Sequence, residues 1–344
     1  MTQRELADKL GISPSALSLI LNHKPGISQH TRERVLRELH SMGYAHLIKP
    51  VEQPIPCTND IYFIIYHRNG FIVGYHPFAY LLTESLSKQA KKYGFNVLVK
   101  PMDCHADIQK EIEEINQSGA QGVLIMATEM LEEDIARFSN LTIPYVAIDH
   151  DFTTQNVHTV AINNQMGTFQ AVEHLVQMGH TDIGYVHATE YISSWSERAD
   201  GFRQALHHFH FPLSDDKIYR VRYYGGSSCE DFQQVLASGA HLPTALVTDD
   251  DITAVGVMHA LQNAGYRIPE DVSIVGFNNR PICELVHPML TSINVPKEDF
   301  AVEAVDALVS LIQKNRRGDL PRRAVKRRIT TTLIKRQSVC HLNR

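Results

Sequence analysis

A chain of 344 residues, 43% hydrophobic and 21% charged, is long enough for two or three domains and has the make-up of an ordinary folded protein. It has no run of 18 apolar residues, its first ten residues lack the apolar stretch of a secretory signal, and its five cysteines (Cys57, Cys104, Cys229, Cys283, Cys340) are never paired as CxxC. A membrane span, export, a zinc site and a disulfide framework are therefore not expected, and a cytoplasmic location is.

The net charge of −5 argues against nucleic acid only as an average. Residues 1–49 carry seven Lys/Arg against four acids, and the end from Lys314 carries eleven against Asp319 alone, which leaves an acidic body between. A basic head on an acidic body suits a DNA reader whose other domain avoids phosphates.

Residues 1–44 read as three short helices. Thr2 caps the first, which runs to about Leu10, and Gly11 breaks it. Ser13 caps the second, with Pro14 at its first position, where a missing N–H costs nothing. It ends near Leu21–Asn22, and Lys24-Pro25-Gly26 forms a turn. Ser28 caps the third, whose apolar stripe is Val35, Leu36, Leu39 and Met42, with Gly43 as its stop. Ala7, Gly11 and Leu17 supply a small residue, a left-handed turn and an apolar wedge at the spacing a helix-turn-helix needs, although a generic helical hairpin fits those three residues equally well.

Pro50, Pro54 and Pro56 make residues 45–59 an extended linker. Beyond Ile61 the pattern becomes strand, helix, strand. Strand candidates are Ile61–Tyr66, Asn96–Lys100, Gly122–Met126, Tyr145–Ile148, Val157–Ile162, Ile183–His187, Ile218–Tyr223, Ala245–Thr248 and Val272–Phe277, with amphipathic helices such as Phe78–Tyr93, Met166–Met178 and Thr253–Ala264 between them. This is an α/β pattern of parallel strands covered on both faces, and about ten strands suit two sheets better than one. Ligands in such folds sit beyond the carboxyl ends of the strands, here in a cleft between lobes.

The stretch GISPSALSLILNHKPGISQHTRERVLRELHSMGY resembles the DNA-reading head of the lac repressor (LacI/GalR) family, with matches at Gly11, Ser13, Ser18, Leu21, Asn22, Ser28, Thr31, Arg32, Val35, Gly43 and Tyr44. The resemblance implies that the second helix enters the major groove, that Pro14 and Ser15 occupy the pair reading base edges, and that Ser13, Ser18, Asn22, Ser28 and Thr31 hold phosphates. Two departures follow. Leu19 stands where the family has a recognition arginine. It offers apolar contact to thymine methyls in place of a bidentate reading of guanine worth roughly 1–3 kcal/mol, so base selection is expected to be weak or unusual and to lean on shape. The segment after Tyr44, AHLIKPVEQPIPC, lacks the family's hinge pattern, leaving Leu47 or Ile48 as the side chains able to touch DNA.

The resemblance extends through HPFAYLLTESLSKQAKKYGFNVLV, GTFQAVEHLVQMGHTDIGYV, WSERADGFRQAL, LVTDDDITAVGVMHALQNAGYRIPEDVSIVGFNN and HPMLTSINVP. It implies a two-lobed, periplasmic-binding-protein-like core of two parallel sheets behind a three-helix head: head 1–46, linker 47–59, N-lobe about 60–161 and 295–320, C-lobe about 162–293 and 322–340. Effector contacts are implied for Arg198, Asp250 and Asn278 of the C-lobe and Asp149 at an N-lobe strand end, with Phe78, Trp195 and Phe277 as apolar faces. A fork of donors plus a carboxylate suits a sugar-like effector. Asp250 and Asn278 stand exchanged relative to the family's usual Asn and Asp, and Val295 replaces a Gln.

Simpler roles stay open. Arg198 can pair with Glu197 or Asp200 at the surface, Trp195 can be plain core, and Asp251 is assigned to the N-terminus of a helix. His207–His210 reads as a solvated helix end, Gly225–Ser228 as a turn without a Walker lysine, and the basic C-terminal run as a solvated strand edge. The expected protein is a homodimeric, effector-switched repressor on pseudo-palindromic operator DNA, with no cofactor, no metal and no catalytic residues. A solute-binding protein of the same core fold is the alternative.

Overall fold

The computed structural model describes residues 2–22, 24–48, 57–68, 70, 78–223 and 226–342, with the side chains of residues 78–81 left out. Most of the linker and of the loop HRNGFIVGY therefore lies outside the described residues. The chain divides into two units, Met1–Pro56 and Cys57–Arg344.

In the first unit, Thr2 and Glu5 form a reciprocal capping box that opens helix α1 (Gln3–Lys9). Gly11, at φ 66°, turns the chain through the left-handed region that other residues rarely adopt. Ser13 caps α2 (Pro14–Leu21), accepting from the Ala16 amide at 3.1 Å, and Ser28 caps α3 (Gln29–Ser41). Leu6, Ala7, Leu10, Leu17, Ile20, Leu21, Val35 and Leu39 form a closed core, so Ala7 and Leu17 fill the positions a helix-turn-helix demands. Met42 does not join the stripe. It caps α3 rather than lying within it, and it is exposed. The linker opens with a short turn, Ala45–Leu47. Ile48 packs on the head's own core, which takes it out of consideration as a groove wedge, whereas Leu47 is exposed.

The second unit contains two six-stranded sheets. The N-lobe sheet runs β11-β5-β4-β3-β1-β2, all parallel, from β1 (Asp60–His67), β2 (Asn96–Asp103), β3 (Gly122–Met126), β4 (Tyr145–Ile148), β5 (Thr159–Ile162) and β11 (Lys326–Ile329). The C-lobe sheet runs β12-β10-β9-β8-β6-β7, from β6 (Ile183–Ala188), β7 (Ile218–Val221), β8 (Ala245–Thr248), β9 (Ser273–Asn278), β10 (Thr291–Asn294) and β12 (Thr332–Ile334). The β10–β12 pair is antiparallel. In chain order the helices are α4 (Phe78–Lys92), α5 (Ile108–Gln117), α6 (Asn164–Gln177), α7 (Ser193–His208), α8 (Ser227–Ala237), α9 (Asp251–Asn263), α10 (Ile282–Leu285) and α11 (Lys297–Arg316).

The chain passes between the sheets three times: from β5 to α6, from β10 to α11, and from β11 to β12. The last crossing comes later than the sequence pattern placed it. Lys326–Ile329 pairs with β5 and belongs to the N-lobe, so residues 322–329 are not part of the C-lobe. The pattern also missed β10 and β11, which have four residues each and are rich in Thr, Ser or Arg, whereas β12 falls in the C-terminal run read as a strand edge. Of the run Gly225–Ser228 read as a turn, Gly225 lies outside the described residues, Gly226 at φ 82° is the cap of α8, and Ser227 and Ser228 are its first helical residues.

Gly201 lets α6 and α7 touch. A Cβ there would lie 2.6 Å from the Gln165 carbonyl oxygen and 2.7 Å from its Cα, and backbone cannot give way as a side chain can. Gly201→Ala is therefore expected to destabilise the second unit by about 1–3 kcal/mol. Urea unfolding should show this as a lower midpoint with an unchanged slope.

Candidate DNA-reading face and effector cleft

In the head, burial of Leu17, Ile20 and Leu21 leaves Ser13, Pro14, Ser15 and Ser18 exposed on the opposite side of α2. Their hydroxyls are held locally. Ser13 Oγ lies 3.0 Å from Ser15 Oγ, and Asn22 donates to the Ser18 carbonyl at 2.7 Å and to its hydroxyl at 3.4 Å. Ser28 Oγ lies 2.7 Å from Thr31 Oγ1 at the start of α3. Ser13 with Ser15, and Ser28 with Thr31, thus stand at two helix N-termini, where amides and dipole both favour phosphate, whereas Ser18 and Asn22 lie toward the end of α2. Leu19 is half-buried and leans toward the turn at Gly26.

In the second unit the predicted C-lobe residues converge at the carboxyl ends of β8 and β9. Arg198, on α7, is buried. Its Nε donates to Asn164 Oδ1 at 2.9 Å, one terminal nitrogen to the Asp249 carbonyl at 2.5 Å, and the other to Asn278 Oδ1 at 3.4 Å. The guanidinium lies 3.8 Å above the Phe277 ring, a cation–π contact. The surface pairing with Glu197 or Asp200 is not formed: Asp200 pairs with Arg203, and Glu197 bonds to Asn164 and Arg328.

Asp250 caps α9 through the Ile252 amide at 2.8 Å, and it accepts from Asn278 Nδ2 at 2.5 Å and from Arg280 at 2.8 Å. The exchanged pair is therefore joined directly. Asp251 stands behind, accepting from Ser292 Oγ at 2.6 Å and the Arg280 amide at 2.7 Å, a structural part as its position suggested. Burial, reinforced by the Asp250 charge, raises its carboxyl well above the usual range.

Trp195 is buried with Ala188, Ile192 and Tyr223 in a small cluster apart from the main cores, its ring 4.9 Å from Tyr223. Phe277 does not offer a face to solvent. Arg198 covers it, and a Cβ on Gly167 would come within 2.7 Å of it, so its part is to support Arg198. Val295 is core. The Phe78 side chain lies outside the described residues.

From the N-lobe, Asp149 ends β4 at φ 66° and accepts from Thr128 Oγ1 at 2.6 Å. Burial pushes its carboxyl up to about 6, against the Thr128 hydrogen bond and the positive charge of Arg198, which lower it. Arg198, on the other lobe, is thus near enough for its charge to be felt at Asp149. Asp149, just after β4, and Asn278 and Asn279, at the end of β9, hold positive φ, and such backbone clusters at functional sites.

With its pKa raised, Asp149 binds its proton more tightly in the folded protein than in the unfolded chain. Stability is then expected to fall as pH rises from the ordinary carboxylate range through about 6. Urea midpoints across pH 4–7 should show this slope, and Asp149→Asn should flatten it.

Sequence reasoning missed Arg280, Asn164, Asp249 and Tyr223. Asp249 is fully buried, and it accepts from Tyr185, His187 and the Ala188 amide. The run Asp249-Asp250-Asp251 carried a signal that only its second and third members were used for. Among the described residues one group has metal-ligating atoms close together, Asp103, Cys104 and His105, within 4.8 Å where β2 ends, with Cys104 half-buried.

Residues 172–339 match the family model of a periplasmic binding protein-like domain. The chain is 25% identical over 316 residues to a probable HTH-type transcriptional repressor, ExuR, of Bacillus subtilis, covering 91% of this chain and 92% of that protein. It is 26% identical to catabolite control protein A of Priestia megaterium, covering 91% and 93%. The relatives are transcriptional regulators, and the chain resembles the lac repressor (LacI/GalR) family along most of its length.

Solved members of similar fold include a complex of the regulator CelR with cellobiose (TM-score 0.71, 22% identity, 98% and 99% of the two chains) and the lac repressor dimer bound to operator and an anti-inducer (0.69, 20%, 99% of each). The head and the two-lobed core of this chain thus both have counterparts in full-length structures. The relatives are regulators, not enzymes. No helix among the described residues is long and apolar enough to cross a membrane.

Proposed function

We propose that this protein is a cytoplasmic, homodimeric repressor whose grip on operator DNA is switched by a small sugar-like effector held between its lobes. The observation that carries this is the presence, in one chain, of an exposed hydroxyl-bearing α2 on a closed three-helix core and of a buried Arg198–Asp250–Asn278 cluster in the second unit. Ser13, Pro14, Ser15, Ser18, Asn22, Ser28 and Thr31 meet the DNA, with Leu19 a minor contributor because it already leans on the turn. Arg198, Asn278 and Asp149 hold the effector, Asp250 orients Asn278, and Trp195 with Tyr223 forms the apolar wall. Binding at the two sites is linked thermodynamically, with a coupling typically of 1–3 kcal/mol.

Selection of duplexes from a random pool by the full chain tests the first half. The expected product is a pseudo-palindromic site with modest preference at each base. Affinity should fall steeply with salt, because phosphates supply most of the binding energy. A sharp, G-rich half-site read by α2, or no enrichment at all, would contradict it. A thermal-shift screen against sugars, sugar acids, nucleosides and amino acids tests the second half, since an effector raises the melting temperature by mass action.

A further inference from the structure

Arg328 lies in β11, on the edge of the N-lobe sheet, where it is in register with Ala161 of β5. Its guanidinium donates to Asp151 Oδ2 of the same lobe at 2.7 Å and to Glu197 Oε1 of the C-lobe at 3.2 Å. It therefore joins the lobes beside two of the three crossings. The first crossing passes through Asn163, whose amide donates to the Ile329 carbonyl at 2.8 Å. Ile329 itself begins the last crossing. The surroundings are tight, with Asp151 one-tenth exposed, Glu197 one-fifth and Arg328 less than a third, so the pairs are shielded more than surface bridges are.

Glu197 is also wired to the cleft. Its other oxygen accepts from Asn164 Nδ2 at 2.9 Å, and Asn164 Oδ1 accepts from Arg198 Nε at 2.9 Å. An unbroken line of hydrogen bonds thus runs from Arg198 through Asn164 and Glu197 to Arg328 and Asp151. Any rotation of one lobe against the other about the crossings has to turn Glu197 relative to Arg328.

We infer that Arg328 and Glu197 form an interlobe clasp that fixes the resting angle of the lobes, and that Arg198 is the end of that clasp which the effector touches. The second clause rests on the reading of Arg198 as an effector-holding residue; the first does not. Arg328 is a positioning residue on this view, acting through Glu197. Coupling of this kind needs an element with two arrangements that both sites bias, and the clasp, made or broken, is one.

The test uses the full chain without DNA or effector. Spin labels go on unnatural amino acids at the exposed positions Lys110 (α5, N-lobe) and Gln204 (α7, C-lobe). The labelled chain is diluted into an excess of unlabelled chain so that only distances within one protomer are read. E197Q and R328M are each expected to broaden and shift the interlobe distance distribution. The double variant should do no more than either alone, because both remove the same interlobe bond between Arg328 and Glu197, the Asp151 pair lying within one lobe, and R328K should restore the wild-type distribution. Wild-type distributions in both single variants, or a double-variant shift equal to the sum of the two, would overturn the clasp. If R328M does not fold, E197Q, which leaves the Arg328–Asp151 pair intact, decides the matter. Should the clasp hold while R198A leaves effector-induced stabilisation intact, the clasp stands and the effector reading of Arg198 falls.

Discussion

Arg198→Ala is expected to erase the effector-induced rise in melting temperature while leaving a folded core. Arg198 is the one side chain in the C-lobe floor that bonds to Asn164, the Asp249 carbonyl and Asn278 and also stacks on Phe277. Hydrogen bonds from a charged donor contribute about 1.5–3 kcal/mol each. Losing a forked pair to the effector therefore weakens binding by roughly a hundredfold or more. The apo protein should also lose stability, since Asn164 and Asn278 give up a partner inside the fold. Arg198→Lys separates the two effects. It keeps the charge and much of the packing but not the planar fork, so the melting temperature recovers more than the effector affinity does. Calorimetric titration of both variants with an effector found by thermal shift is the check. Equal affinity in Arg198→Ala and wild type would remove Arg198 from the site.

Leu17→Ala should abolish DNA binding without touching the effector cleft. Leu17 is fully buried among seven other core residues of the head. Cutting a buried leucine to alanine costs about 2–5 kcal/mol. A head of this length has only about 2–7 kcal/mol to lose, at roughly 0.05–0.15 kcal/mol per residue. The expected variant has a largely unfolded first unit, no measurable affinity for the selected duplex, and a core that still melts at the wild-type temperature with its effector shift intact. Hydrogen exchange read separately over the first 46 residues and the remainder would show this. Loss of protection throughout the chain would mean that the units do not fold independently.

The head was nearly all legible in the sequence because its constraints are local. Caps at Thr2, Ser13 and Ser28, the left-handed Gly11 and the wedge Leu17 are each dictated within a turn or two of the chain. Met42 and Ile48 were misplaced by one-residue shifts in where α3 ends and what the following turn packs on. In the second unit, apolar strands buried on both faces stood out, whereas Thr291–Asn294 and Lys326–Ile329 did not. Their pairing is decided by strands far away in sequence, and their polar residues are satisfied only there, as in the Arg328 bridge to Asp151.

The cleft divides along the same line. Arg198, Asp250 and Asn278 could be named from motif and chemistry. Arg280 and Asn164 could not, because they become site residues only through the partners the fold gives them. Phe277 shows the reverse case: apolar and next to Asn278, it looked like a ligand face, yet the register of β9 turns it beneath Arg198.

The most direct measurement is an equilibrium binding curve for the intact protein on its selected duplex, recorded with and without a saturating effector taken from the thermal-shift screen. A head and cleft that work as one switch predict midpoints about 5–150-fold apart, and coincident curves once Arg198 is alanine. Superimposable curves for the wild-type protein would show that whatever the lobes bind does not govern the grip on DNA.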